Sequence, residues 1–315
     1  MVYQTQLGGF GRRRMGRRGF GRRGRGGGFR WPLMLVFAVG AAIYYFANQE
    51  TVPITGRKQL RTMDLDTEIQ LGLQSYQQIL SENRQNLIES GPVVDTVREI
   101  GFRIADAAED IDPGFEWAFA VIDSPQVNAF ALPGGYTAVY TGLIPVAQNE
   151  DALAVVMGHE VADALAHHGA ERMAQQNMQR IVGTGVAMGA GGMDYSAQRA
   201  VMGAFGMASQ YGFSLPFSRE HESEADYIGL LLMAEACYDP REAPRLWERM
   251  AEASGGANVP EFQSTHPSPA TRIADFQQWM PEAIEVYNAN CPGRISAVPS
   301  GGVDYASASA NRLNR

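Results

Sequence analysis

Three hydrophobic patterns divide the chain. The first is an unbroken apolar run without charge, Trp31 to Ala47 (WPLMLVFAVGAAIYYFA). The second is a helical repeat. From Asp64 to Asn83 it places Ile69, Leu71, Leu73, Tyr76, Ile79 and Leu80 on an apolar face, and from Val93 to Ala108 it uses Val97, Ile100, Ile104 and Ala108. Asp112-Pro113-Gly114 then makes a turn. The third pattern is strand-like: EWAFAVID (Glu116 to Asp123), NAFALP (Asn128 to Pro133) and, after Gly134-Gly135, YTAVYTGLI (Tyr136 to Ile144). These predict a small, mainly antiparallel sheet that packs in the core or offers an edge to an extended peptide. Helical pattern returns at Asn149, an N-cap followed by Glu150 and Asp151. It runs to His167-His168-Gly169, a stop signal. Further helices fit Ala170 to Arg180, Ser218 to Ala236 and Pro240 to Ala253. Residues 183–217, rich in Gly, Ala and Met, read mostly as closely packed helices with a loose loop at Gly189 to Asp194; the alternative is a mobile flap near a cleft or a bilayer. The class is α+β, mainly helical with one small sheet.

Charge changes the picture at the N-terminus. The first thirty residues hold nine arginines and no acid. The chain has 26 basic and 34 acidic residues, so the remainder carries 17 against 34. A basic tail is thus joined to an acidic body, which excludes a basic nucleic-acid-binding domain. The tail also reads as an arginine-glycine RNA-binding tract. Beside an apolar helix, it reads better as a disordered orientation signal that touches anionic lipid. Residues 31–47 sit at the lower length limit of a transmembrane anchor, with Trp31, Tyr44 and Tyr45 suited to its interfaces. The arginines keep the N-terminus cytoplasmic and send the body across the inner membrane, into a periplasm or its equivalent. A cleaved signal peptide fits less well, because the basic region is long and no A-x-A site follows. The remaining divisions are a linker over 48–63, a catalytic domain over 64–285 and a disordered tail over 286–315. Cys237 and Cys291 are the two cysteines. In a translocated domain they form one disulfide or remain two buried thiols.

The candidate chemistry lies in GHEVADALAHH, Gly158 to His168. His159-Glu160 opens an H-E-x-x-H run, in which residues four apart share a helix face and hold one metal ion. Glu160 is then the general base on a metal-activated water. In SREHESEADYIGL, Glu222 and Asp226 repeat the spacing of four, as a further ligand and a support for a ligating imidazole. His167, His168 and His221 read as surface or helix-end histidines rather than ligands. His266, in STHPSPATRI, can approach the cleft from a proline-stiffened loop.

TGRKQL, NAFALPGGYTAVYTGLI, GHEVADALAHHGAERM, SREHESEADYIGL and STHPSPATRI follow in order over roughly residues 52–280. In these pieces the chain resembles the HtpX, CAAX prenyl protease and BepA-type family of gluzincin metallopeptidases, and its single anchor resembles the periplasmic or organelle-facing branch. The resemblance implies a zinc endopeptidase acting on misfolded or membrane-associated envelope proteins. It implies His159 and Glu222 as ligands, Glu160 as base and Asp226 as support. It also implies that Asn128, Ala129, Phe130 and Ala131 border the substrate cleft, with His266 and Arg272 near the site.

At the second histidine of the motif this chain has Asp163. Three outcomes are open. Asp163 binds zinc itself, although its carboxylate reaches about 1 Å less far than an imidazole and a neutral site acidifies its water less. Alternatively, His266 supplies the missing imidazole. In the third case the site is weak or empty, and the protein holds unfolded clients without cutting them.

Overall fold

A computed structural model describes residues 29–210, 214–254 and 272–293. Helix α1 (Trp31–Ala47) has the bounds of the apolar run and Pro32 in its first turn. Among the described residues no helix is long and apolar enough to cross a membrane. The stretch expected to be a linker is folded. Strands β1 (Gln49–Thr51) and β2 (Lys58–Leu60) pair antiparallel, with Gln49 opposite Leu60, and Leu60 and Val52 are buried.

Helix α2 (Leu65–Glu82) starts where Asp64 accepts the Thr67 amide at 2.9 Å. After β3 (Leu87–Ile88), α3 (Pro92–Ala107) buries Val94, Val97, Ile100 and Ile104. Strands β4 (Ala118–Ile122), β5 (Ala129–Leu132) and β6 (Tyr136–Tyr140) fall inside the three β-prone segments. The sheet order is β3-β4-β6-β5. Two pairings are antiparallel, and β4 pairs with β6 in parallel. Strand β5 is therefore an edge, and it packs beside α5.

A 3-10 turn (Thr141–Leu143) and α4 (Ile144–Ala147) lead to α5 (Glu150–Leu165), capped by Asn149 at 2.8 Å from the Ala152 amide. Thirteen of its sixteen residues are buried, so α5 is the core helix, packed by α3, α8 and α9. The stop after α5 uses His167, not Gly169. His167 takes the left-handed conformation at φ +53°, and α6 (His168–Ala190) starts at once. Helix α6 thus runs ten residues past its expected end at Arg180. The loose loop expected at 189–194 is only a short turn into α7 (Tyr195–Ser209). Helices α8 (Leu215–Glu235), α9 (Glu242–Ser254) and α10 (Arg272–Asn290) complete the fold. Helix α10 continues past residue 285, because Ala283 and Tyr287 are buried on one face. Cys237 and Cys291 are disulfide-bonded with Cα atoms 5.6 Å apart, tying the ends of α8 and α10. Closing a loop of 54 residues contributes about 4 kcal/mol in the chain-entropy picture.

Candidate active site

Helices α5 and α8 cross with their backbones touching. A Cβ on Gly158 would lie 2.7 Å from Gly229 O, and one on Gly229 would lie 2.6 Å from Gly158 C. Any side chain at either position would force the helices apart. This crossing brings buried His159 against α8. His159 Nδ1 lies 2.9 Å from Asp226 Oδ1, and Nε2 lies 3.5 Å from Glu222 Oε2. The acceptor Asp226 favours the Nδ1–H tautomer of His159, with the Arg272 Nη2 donor also 3.0 Å from Nδ1, and Nε2 then faces Glu222. The 3.5 Å gap is long for a hydrogen bond. It is close to the roughly 3.3 Å that separates two ligands of one tetrahedral zinc.

Arg272 fixes this pair from behind. Its Nη2 donates to Asp226 Oδ1 at 2.5 Å and its Nε donates to Oδ2. Nη1 lies 3.5 Å from Glu222 Oε2. The guanidinium stacks 3.7 Å from the Trp247 ring centroid. Burial opposes the charge on Asp226, but Arg272 and the His159 bond hold its carboxyl below the usual range. Arg272 is itself buried, a brace beside the site held inside by the Asp226 charge. Glu160 is also buried, one residue around the helix from His159.

A second histidine-carboxylate cluster lies on the same helix pair. Successive residues on a helix turn by 100°. Glu222 and Asp226 therefore face one way, and His221 and Glu224 another. His168 is fully buried between two acids, with Nδ1 2.5 Å from Asp163 Oδ1 and Nε2 2.8 Å from Glu224 Oε2. Its ring stacks on His221, with centroids 4.4 Å apart. His221 Nε2 lies 2.9 Å from Glu171 Oε2. Arg57, from the β1–β2 hairpin, pairs with Glu171 at 2.8 Å and with Glu224 at 2.7 Å. The Thr55 hydroxyl donates to Glu224, and the Leu60 amide donates to Glu171 at 3.2 Å. Burial alone would lower the His168 pKa, but Asp163 and Glu224 raise it to about 9. Burial would raise both acids; instead His221 and Arg57 pull Glu171 down to about 2, and His168, Arg57 and Thr55 do the same for Glu224. His221 is shifted down, by burial and by the charge on His168.

Residues 95–280 match peptidase family M48. The chain is 38% identical over 257 residues to the mitochondrial metalloendopeptidase OMA1 of Schizosaccharomyces pombe, covering 81% of this chain and 73% of that one. Human OMA1 is 30% identical over 276 residues, 84% of this chain and 52% of its own. The β-barrel assembly-enhancing protease of Escherichia coli is 27% identical over 247 residues, 77% of this chain and 50% of its own. The chain belongs to peptidase family M48.

M48 peptidases are zinc-dependent metalloendopeptidases, and two of the expected ligands suit that ion. His159 and Glu222 offer an imidazole nitrogen and a carboxylate at a ligand-like separation, with the His159 tautomer set by Asp226. Among the described residues Asp163 forms no three-residue metal-holding group with them. One of its oxygens is committed to His168. His266 lies outside the described residues. Of the expected cleft residues, Ala129 and Asn128 are buried and Phe130 is half-buried against Tyr140. Ala131 lines a small cavity with Leu132, Pro133, Asp163, His167 and Arg172. His167 and His168 are buried rather than at the surface, and His167 Nδ1 lies 2.9 Å from Glu68. Arg57, Glu171 and Glu224 had no assigned role from sequence. The one available sign was that Glu222 and Glu224, two residues apart, cannot share a helix face.

Proposed function

We propose that this chain is a membrane-attached M48 endopeptidase whose zinc is held by His159 and Glu222 and weakened at the third position by Asp163. The observation that carries this reading is His159, fixed by Asp226 and Arg272 with Nε2 directed at Glu222. Zinc bound there would acidify a water and polarise a peptide carbonyl. Glu160 accepts the proton of the attacking water and delivers it to the leaving amine. Asp226 holds the Nδ1 proton and so keeps Nε2 a donor to the metal. Arg272 fixes Asp226 and offsets the negative charge of the two acids. Edge strand β5, packed along α5, suits an extended, unfolded substrate segment added as a further strand. The named role of the Escherichia coli relative in β-barrel assembly supports envelope proteins as the substrate class.

Attachment is by α1. Trp31, Leu35, Val36, Val39, Ile43 and Phe46 are all exposed on it, and the arginine-rich segment precedes it. With that order the catalytic domain would lie across the membrane from the arginines, in a compartment that keeps the Cys237–Cys291 bond.

The Asp163–His168 pair favours a second reading, a peptidase-derived protein that binds clients without cutting. Zinc content and hydrolysis of an unfolded protein decide between them, measured for this chain, for Asp163→His and for Glu160→Gln. The endopeptidase reading expects weak zinc binding and slow cleavage that disappears in Glu160→Gln. No zinc uptake and no Glu160-dependent cleavage in the chain itself would leave only the client-binding reading.

A further inference from the structure

Twelve large apolar side chains stand exposed among the described residues, and ten of them belong to three neighbouring helices. Seven lie on α1; the other three are Met188 on α6 and Tyr195 and Met207 on α7, with exposures of 45%, 78% and 61%. Helix α7 has no buried residue at all. From Ile181 to Ser209 the chain carries two charges, Asp194 and Arg199. Asp194 sits at the turn, where it caps α7 by accepting the amides of Ser196 and Ala197. In a water-soluble helical hairpin the outer face would be polar; this one is apolar.

The hairpin is also aligned with α1. Gly185 and Gly189, four residues apart, form a flat strip on α6. A Cβ on Gly185 would lie 2.4 Å from Phe37 Cβ, and one on Gly189 would lie 2.9 Å from the Phe29 ring. The Arg30 amide donates to Gly189 O at 2.7 Å. Helix α1 therefore runs antiparallel to the far half of α6, and the hairpin turn lies level with the start of α1. Close helix contact through small residues spaced by four is the packing that lipid-embedded helices use.

We propose that the far half of α6 and the whole of α7 enter the lipid beside α1, so that a three-helix unit, not α1 alone, meets the acyl chains of the bilayer. This rests on the reading that α1, a helix of seventeen residues, is membrane-attached. At about 25 Å it is shorter than the roughly 30 Å hydrocarbon layer, and the hairpin widens the apolar face laterally. The consequence reaches the site. Helix α6 begins at His168 and carries Glu171, so the hairpin and the ion network share one rigid helix, which fixes the height of the site above the lipid.

The test uses the full chain in phosphatidylcholine–phosphatidylglycerol vesicles, kept without reductant so that Cys237–Cys291 stays closed. Nitroxide labels are placed singly at Met188→Cys and Met207→Cys, with Val36→Cys on α1 and Phe102→Cys on α3 as references. Relaxation by oxygen reports lipid, and relaxation by a water-soluble nickel chelate reports water. The proposal expects labels at 188 and 207 to match position 36, with oxygen dominant, while position 102 is dominated by the chelate. Chelate dominance at 188 and 207 with oxygen dominance at 36 overturns the hairpin and leaves the α1 anchor standing. Poor access to both reagents at 188 and 207 means that protein covers the face, and also overturns it. Chelate dominance at 36 removes the anchor, and the hairpin proposal with it.

Discussion

The two faces of α8 hold two histidine-carboxylate clusters built from the same residue types, and they differ in how the imidazole is held. Around His159, one ring nitrogen is taken by Asp226 and the other faces Glu222 across 3.5 Å, too far for a good bond and near enough for a shared ion. Around His168, both ring nitrogens are taken by carboxylates, at 2.5 and 2.8 Å, and Arg57 neutralises the acids beyond. In the first cluster an imidazole nitrogen and a carboxylate face each other at a ligand-like separation. The second acts as a structural clamp between the β1–β2 hairpin, α6 and α8. Asp163 belongs to the second cluster although its place in the motif belongs to the first. Its carboxylate is held 2.5 Å from the buried His168 ring.

The largest test of this contrast is Asp163→His. It removes an acid from the clamp and returns an imidazole to the zinc side. Zinc affinity measured by competition with a chelator should rise by more than the roughly 10- to 100-fold that a supporting residue controls, with Glu160-dependent cleavage rising alongside. Unchanged zinc affinity would mean that position 163 is not the deficit.

Breaking the clamp should act on stability rather than on the metal. Arg57→Met leaves Glu171 and Glu224 buried with less positive charge, an expected loss of about 3–5 kcal/mol in chemical unfolding. If zinc affinity falls as much as stability does, the two clusters are not separable. Conversely, Asp226→Asn should weaken zinc by about 10- to 100-fold, because the amide no longer favours the Nδ1–H tautomer of His159. Its unfolding midpoint should fall less than that of Arg57→Met.

The smallest effect is on pH dependence. His168 is raised from 6.5 to about 9, so its pairing is fully present below about pH 6.5 and fades as pH rises through 9. Glu171 and Glu224 are lowered from 4.5 to about 2, so their share is present above 4.5 and fades toward 2. The clamp is complete between those limits. The imidazole signals of His168, followed by NMR, should titrate near 9 in this chain and at lower pH in Asp163→Asn. A midpoint near 6.5 in both would remove Asp163 from the clamp.

Much of this was written in local pattern. Helix α2 starts at its Asp64 cap, α5 starts at Asn149, and the three β-prone segments became β4, β5 and β6, because caps and short-range periodicity act within a few residues. The spacing His159-Glu160 and Glu222-x-x-x-Asp226 likewise placed those side chains on common helix faces without any knowledge of the fold. Three features were not legible. The hairpin at 49–60 is held by Arg57 reaching Glu171 and Glu224, more than a hundred residues away in sequence. The continuation of α6 to Ala190 depends on glycines that look like loop residues until Phe37 and Phe29 are seen packed on them. The partner of Asp163 is His168, five residues on, and reaching it takes the left-handed turn at His167. The sequence by itself determined which helices form, which family they build and which residues could hold a metal, since those follow from residue type and spacing. Only the tertiary structure decided which of two acids and histidines pair. That choice depends on the angle between α5, α6 and α8, fixed by glycine contacts and an arginine from a distant hairpin.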